Sequence, residues 1–225
     1  MQYIHRFEDG TAFQWPLGKV VCVGRNYAEH ARELNNPVPS EPILFIKPAT
    51  AVQPFAEPVH WPLGHGECHH EVEIAVLIGR DLKQVNEEQA VAGIAGFGLA
   101  LDLTLRDLQS KLKEKGHPWE VAKAFDGACP LSSFVRPEQV ADLADIPLRL
   151  TVNGQLRQDG NSSQMLTSIP KLISYISQYF TLQAGDVVLT GTPAGVGPLR
   201  AGDQLKAELP GLLSVETRVS EVVAS

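Results

Sequence analysis

His70-Glu71-Val72-Glu73-Ile74-Ala75-Val76-Leu77-Ile78-Gly79 is the stretch whose reading decides the fold. It alternates and is rich in β-branched residues, so it predicts a strand. Residues two apart in a strand point the same way, and Glu71 and Glu73 therefore leave on one face. Two like charges beside an apolar strand are unfavourable unless a cation or water compensates them. A hard divalent metal that prefers oxygen ligands is one explanation. A half-exposed edge strand with a solvated polar face is the other, and on this pair alone the two weigh evenly.

Working outward, Phe97-Gly98-Leu99-Ala100-Leu101-Asp102-Leu103 reads as a second buried strand, and Lys19-Val20-Val21-Cys22-Val23-Gly24 as a third. Asp186-Val187-Val188-Leu189-Thr190 reads as a strand leading into a glycine-rich loop. Arg149 to Arg157 predicts a hairpin, because its central Asn153-Gly154 suits a type I′ turn. A helix is expected from an Asn26 N-cap, with Glu29 three residues on, to about residue 35. A second runs from Asn86 to about Ile94, and a third from a Thr104–Asp107 capping box to about Lys115. Ser168 starts a fourth, with Ile169, Leu172, Ile173 and Ile176 on one face. Seven prolines between Pro37 and Pro62 imply short strands and loops there. Strands outnumber helices and do not alternate with them, which gives a β-rich α+β domain. Residues 1–17 form a short N-terminal extension and 18–225 a single domain.

The composition narrows the function. The 225 residues are 44% hydrophobic, enough for a substantial core. Nineteen basic residues against 26 acidic give a formal net charge of −7 without any concentrated basic patch, so nucleic acid is not expected as a partner. Lys111, Lys113 and Lys115 read as a solvated helix face. Three separated cysteines, Cys22, Cys68 and Cys129, indicate neither a disulfide framework nor a closed zinc site. Met1 to Arg6 lacks the apolar core of a signal peptide, and no apolar run is long enough to cross a bilayer. The expectation is a cytoplasmic protein with no membrane partner.

Several residues could carry chemistry. Asp102 interrupts an apolar strand, where it either accepts backbone amides of the next turn or, beside Glu71 and Glu73, completes a carboxylate triad for a metal. His30 and Glu33 lie three apart on a helix, as an exposed surface pair or as a base with its orienting carboxylate. Lys123 is flanked by apolar residues; its ammonium either snorkels out or faces a substrate carboxylate. The loop Gly191-Thr192-Pro193-Ala194-Gly195-Val196-Gly197 matches no nucleotide fingerprint, and its glycines serve a tight turn or bring amides to a small anion. His69 and His70 beside Cys68 suggest zinc, but with spacings unlike a closed site.

Together these segments resemble the fumarylacetoacetate hydrolase family. The resemblance rests on Val23-Gly24-Arg25-Asn26-Tyr27 with His30 and Glu33, Phe45-Ile46-Lys47-Pro48, Glu71-Val72-Glu73, Leu101-Asp102-Leu103-Thr104 with Arg106-Asp107, Lys123-Ala124-Phe125-Asp126, and the 191–197 loop. These pieces occur in the family's order over about residues 18–220, and they look most like its short acylpyruvase and oxaloacetate decarboxylase branch. The resemblance implies a mixed β-roll or sandwich with a few peripheral helices, usually a homodimer, with Mg²⁺ or Mn²⁺ held by Glu71, Glu73 and Asp102. It also implies His30 and Glu33 as a water-activating dyad, catalytic and substrate-binding roles for Lys123, and Arg25, Arg106, Gln109 and Thr192 as further substrate contacts. The expected reaction is metal-dependent C–C cleavage of small 2,4-dioxo acids such as fumarylpyruvate or acetylpyruvate to pyruvate and an acid. Oxaloacetate decarboxylation or keto–enol isomerisation on the same site is the alternative. A non-catalytic small-acid binding protein and a zinc hydrolase built on His69 and His70 are more distant ones.

Overall fold

A computed structural model describes residues 3–34 and 37–220. Among them the chain forms, in order, β1 (Val20–Gly24), α1 (Ala28–Glu33), β2 (Ile43–Lys47), β3 (Val52–Pro54), β4 (Cys68–His70) and β5 (Val72–Ile78). There follow α2 (Glu87–Val91), β6 (Ile94–Leu101), β7 (Thr104–Leu105), α3 (Arg106–Glu114), β8 (Cys129–Leu131), β9 (Pro147–Val152) and β10 (Gln155–Asn161). The last elements are α4 (Ile169–Tyr179), β11 (Val187–Leu189), β12 (Gly197–Pro198), β13 (Gln204–Leu209) and β14 (Leu213–Arg218).

Seven strands make the main sheet in the order β2-β1-β11-β5-β6-β8-β3. It is mixed, since β1 runs parallel to β11 and β3 to β8 while the remaining neighbours are antiparallel. A four-stranded antiparallel sheet, β10-β9-β13-β14, and a small sheet, β12-β4-β7, complete the β-rich fold. Both faces of the main sheet are covered. One face contributes Val21, Ile74, Val76 and Leu99 to a core shared with Leu148, Leu150, Leu205 and Ala207 of the second sheet. The other packs Val20, Cys22, Ala75 and Leu77 against Phe45 and Phe134, with Phe7 of the N-terminal segment sealing the edge. This double burial explains why β5 is buried at every position and, apart from Glu73, apolar instead of alternating strictly.

Helix α4 docks through Ile169, Leu172, Ile173 and Ile176, all buried. At about 1.5–3 kcal/mol per fully buried aliphatic side chain, that stripe supplies most of its attachment. The β9–β10 turn is the expected one: Asn153 and Gly154 have φ of 51° and 74°, as a type I′ turn requires. No helix among the described residues is long and apolar enough to cross a membrane.

Three local expectations are corrected. Asn26 does not cap α1; Tyr27 occupies that position without a side-chain cap, and the helix runs only from 28 to 33. The expected helix end at residue 35 lies outside the described residues. The Asn26 amide instead donates to the carbonyls of Thr167 and Thr190 and accepts from the Thr167 N–H, so a tertiary tie outweighs the local cap. Thr104 and Asp107 do not form a capping box on α3. Thr104 Oγ1 donates to the Asp102 carbonyl, and Asp107 accepts the Glu67 N–H. Glu71 lies not inside a strand but at the break between β4 and β5.

Candidate active site

The floor of the site is made by the ends of two antiparallel neighbours. Val72 pairs with Leu101 and Glu73 with Ala100, so Glu71 and Asp102 face each other just beyond the ladder, joined by the Asp102 N–H to the Glu71 carbonyl at 2.8 Å. Directly opposed residues project on the same side of a sheet, and Glu71 and Glu73, two apart, share a direction. The three carboxylates are buried, with one oxygen of each within 4.8 Å of the others.

Three cations surround them. Lys123, following a 3-10 turn at Glu120–Ala122, donates to Glu71 Oε2 at 2.7 Å and Asp102 Oδ2 at 2.6 Å. Arg106 Nη2 donates to Glu71 Oε1. Lys47, at the end of β2 and fully buried, donates to the carbonyls of Lys123 and Ala128 and lies 2.9 Å from Asp102 Oδ1. Burial pushes the Glu71 carboxyl up, but Lys123, Arg106 and His30 outweigh it and hold it below the usual carboxylate range. Glu73 has no such partner. Burial, with Asp102 and Glu71 nearby, drives its carboxyl well above its ordinary value, opposed by Lys123 and by the Gly191 N–H on Oε2 at 2.6 Å.

A hard divalent ion fits this donor set. All three donors are carboxylate oxygens, Glu73 is the one without a direct ion pair, and Asp102 Oδ1 makes no hydrogen bond of good geometry despite its burial. Neither histidine next to this floor belongs to a metal cluster. His70 Nδ1 contacts Gln158 Oε1 and His69 Nε2 contacts Glu67, and among the described residues the carboxylate triad is the one group close enough to hold an ion. The zinc alternative is thereby set aside.

The rim carries the His–Glu pair. His30 is buried, with Nδ1 3.5 Å from Glu33 Oε2, an ion-pair distance too long for a good hydrogen bond. Burial lowers the imidazole below its ordinary value, with Glu71 and Glu33 opposing, so it is neutral at pH 7 and able to accept a proton. The Gly195 N–H donates to both oxygens of Glu33, at 3.0 and 3.2 Å. The glycine-rich loop therefore brings amides to anions, but the anions are the protein's own: Gly191 to Glu73 and Gly195 to Glu33. Both positions need glycine. Their φ values are 92° and 97°, and a Cβ on Gly195 would stand 1.9 Å from the Arg157 carbonyl oxygen.

Floor and rim enclose a cavity of about 350 Å³. His30, Glu71, Glu73, Asp102 and Lys123 line it, as do the expected substrate contacts Arg25, Arg106, Gln109 and Thr192. Arg25 adopts φ of 61°, uncommon for a residue with a side chain and the kind of local strain found at functional sites. Gln109 accepts from Arg106 Nη1 at 3.0 Å. Thr192 Oγ1 donates to the Val72 carbonyl and accepts from the buried Gln158 amide, which also bonds the Pro193 carbonyl and the Val72 N–H. The Lys123 ammonium does not snorkel out to solvent; it faces the cavity while engaging Glu71 and Asp102.

Two residues were missed as site components. Lys47 ends an apolar strand with a charge, and no role was drawn from that. Lys113 is exposed, as the solvated-face reading expects, but it also lines the cavity mouth, with Nζ 5.6 Å from the Trp119 ring centroid. Its signal was the spacing of Arg106, Gln109 and Lys113, which puts three long polar side chains in one row along α3.

Comparison with known proteins agrees with this geometry. The family model described as fumarylacetoacetate (FAA) hydrolase C-terminal matches residues 19–220. The chain is 52% identical over 218 residues to oxaloacetate tautomerase YcgM of Escherichia coli (strain K12), covering 96% of this chain and 99% of that protein. It is 44% identical over 200 residues to the mitochondrial oxaloacetate decarboxylase of Dictyostelium discoideum, covering 88% and 92%. Among solved structures, fumarylpyruvate hydrolase from Pseudomonas aeruginosa in complex with Mn²⁺ and pyruvate is 35% identical, with a TM-score of 0.91 and coverage of 97% and 96%.

Proposed function

The chain belongs to the fumarylacetoacetate hydrolase family, and from that premise we propose that it is a divalent-metal-dependent oxaloacetate tautomerase, interconverting the keto and enol forms. The observation that carries this reading is a neutral base, His30, at the rim of a small cationic cavity whose floor is a carboxylate triad. The similarity to an oxaloacetate tautomerase over nearly the whole of both chains supports it. Of the two expectations, the isomerase alternative is therefore better supported than C–C hydrolysis.

Glu71, Glu73 and Asp102 would hold Mg²⁺ or Mn²⁺, which when bound supplies a Lewis acid for the 2-oxo group and offsets the charge that develops on its oxygen. Glu33 faces His30 Nδ1, leaving Nε2 for proton exchange. Going from keto to enol, this nitrogen takes one proton from C3 of the substrate and passes it to the C2 oxygen; the reverse direction takes the proton from that oxygen and delivers it to C3. The apolar wall of Val23, Ile43 and Phe45 limits water at the transferred proton. Lys123 and Arg106 keep Glu71 ionised, so the base and the ligand set do not compete for the same proton.

C–C hydrolysis of a small 2,4-dioxo acid is the second reading, favoured by the His30–Glu33 pair, which could equally activate water. The test follows the ultraviolet absorbance of enol-oxaloacetate after mixing it with enzyme and Mg²⁺, Mn²⁺ or EDTA, beside pyruvate release from acetylpyruvate and fumarylpyruvate. Rapid, EDTA-sensitive decay of the enol without matching pyruvate release is expected. Fast dioxo-acid cleavage with an unchanged rate of enol decay would overturn the tautomerase reading.

A further inference from the structure

The three cations of the floor are already engaged: Lys47 with Asp102, Arg106 with Glu71, and Lys123 with both. Lys113 is a further cation on the wall of the same cavity, and among the described residues no carboxylate lies within salt-bridge distance of it. Its ammonium is placed by aromatic packing. Trp119 stands edge-on to Phe45, with ring centroids 5.0 Å apart, and Lys113 Nζ lies over Trp119 while Lys123 Nζ lies 5.4 Å from the Phe45 centroid. The two ammoniums thus flank one aromatic pair, Lys123 on the carboxylate floor and Lys113 seven residues along α3 from Arg106. That spacing is about 10 Å of helix rise. Lys113 is exposed on its outer side, yet its partial burial against the cavity wall, together with Arg25, Lys123 and Arg106, lowers its ammonium to about 8, a field that an anion would relieve.

We propose that Lys113 is the residue that selects dicarboxylates, its ammonium receiving the C4 carboxylate of a four-carbon 2-oxo acid whose other end lies on the floor; this rests on the oxaloacetate reading above. A cation at that place also decides between two reactions of one substrate. Enolisation breaks C3–H, sends the proton to His30 and leaves the C4 carboxylate charged throughout. Decarboxylation breaks C3–C4, turns that electron pair into the C2–C3 double bond of an enolate with its charge on the C2 oxygen, and releases C4 as neutral CO₂ before C3 is protonated to give pyruvate. Charge leaves C4 only in the second case, so an ammonium paired with C4 favours the ground state over that transition state. Lys113 holds the site to enolisation.

The test uses unreactive ligands that differ only at the distal end: malate and 2-hydroxybutanoate, which has a methyl group where malate has its C4 carboxylate. Oxalate, too short to reach Lys113 from the floor, is the control. Calorimetric titrations are made on the full chain loaded with Mg²⁺, as wild type, Lys113→Met and Lys113→Arg. Malate should bind the wild type ~10-fold or more tightly than 2-hydroxybutanoate, as for a charge-assisted hydrogen bond. Lys113→Met should lose most of that preference and Lys113→Arg keep most of it, with oxalate affinity unchanged in all three. Pyruvate formed per enolisation of oxaloacetate should rise severalfold in Lys113→Met. An unaltered malate preference in Lys113→Met, or none in the wild type, would overturn the proposal. A wild type that prefers malate yet does not speed enol decay would sink the tautomerase reading and leave the carboxylate subsite standing.

Discussion

On the cavity floor, Glu71, Glu73 and Asp102 leave the ends of two hydrogen-bonded strands and are surrounded by Lys47, Lys123 and Arg106. On the rim, His30 and Glu33 sit on a helix of six residues without a side-chain cap, 3.5 Å apart and tied to the rest mainly through the Gly195 N–H. Groups that must hold a fixed geometry are built into the core, where a sheet cannot yield without losing its ladder. The group that exchanges a proton in the proposed reaction is placed where small adjustments are inexpensive. Removing a floor residue should therefore cost folding and activity together, and removing a rim residue should cost activity alone.

The largest effect is expected for Asp102→Ala. It strips a ligand and leaves the buried ammoniums of Lys47 and Lys123 short of a counter-charge, so activity should be abolished and stability fall by about 3–5 kcal/mol. Urea unfolding beside Mn²⁺ titration checks it; a stable, metal-binding variant would break the contrast. His30→Ala should come next, with a ~10²-fold or greater loss of tautomerase rate, while Mn²⁺ affinity and the unfolding midpoint stay near wild type. Because burial lowers the His30 pKa, the wild-type rate should stay flat through neutral pH and fall only below the ordinary imidazole range, as the base becomes protonated. That acid limb should vanish from the residual activity of His30→Ala. The smallest effect is expected for Glu33→Gln, about a tenfold loss. Glu33 raises the His30 pKa, so its removal should also move the acid limb to lower pH. A limb that stays put would mean that Glu33 does not act through His30.

The floor was the part most legible in the sequence, because a carboxylate in an apolar strand is locally anomalous and the strand period fixes which side it leaves from. Glu71, Glu73 and Asp102 needed only two strands and their alternation to be singled out. The rim was less so. Asn26 has every local mark of an N-cap, yet Thr167 and Thr190, over 140 residues away, claim its side chain. Only half of the setting of Lys113 was legible: its lysine row does face water, but nothing near it in sequence announces that Trp119 and Phe45 wall a cavity beside it. The partners of the glycine loop were hidden for another reason: a backbone N–H is present at almost every residue, so composition cannot say which ones will meet Glu73 and Glu33.

Strand β11 has a consequence for how the protein is made. It lies inside the main sheet, between β1 and β5, though it is written into the chain only at residues 187–189. The first strand therefore has no central neighbour until most of the chain exists, and closing that contact spans more than 160 residues. Such a long-range pairing places the domain among slow, whole-chain folders. The Gly191 N–H that bonds Glu73 arrives two residues after β11. A nascent chain thus carries its carboxylates long before it can assemble them, and the floor they form is completed only near the end of synthesis.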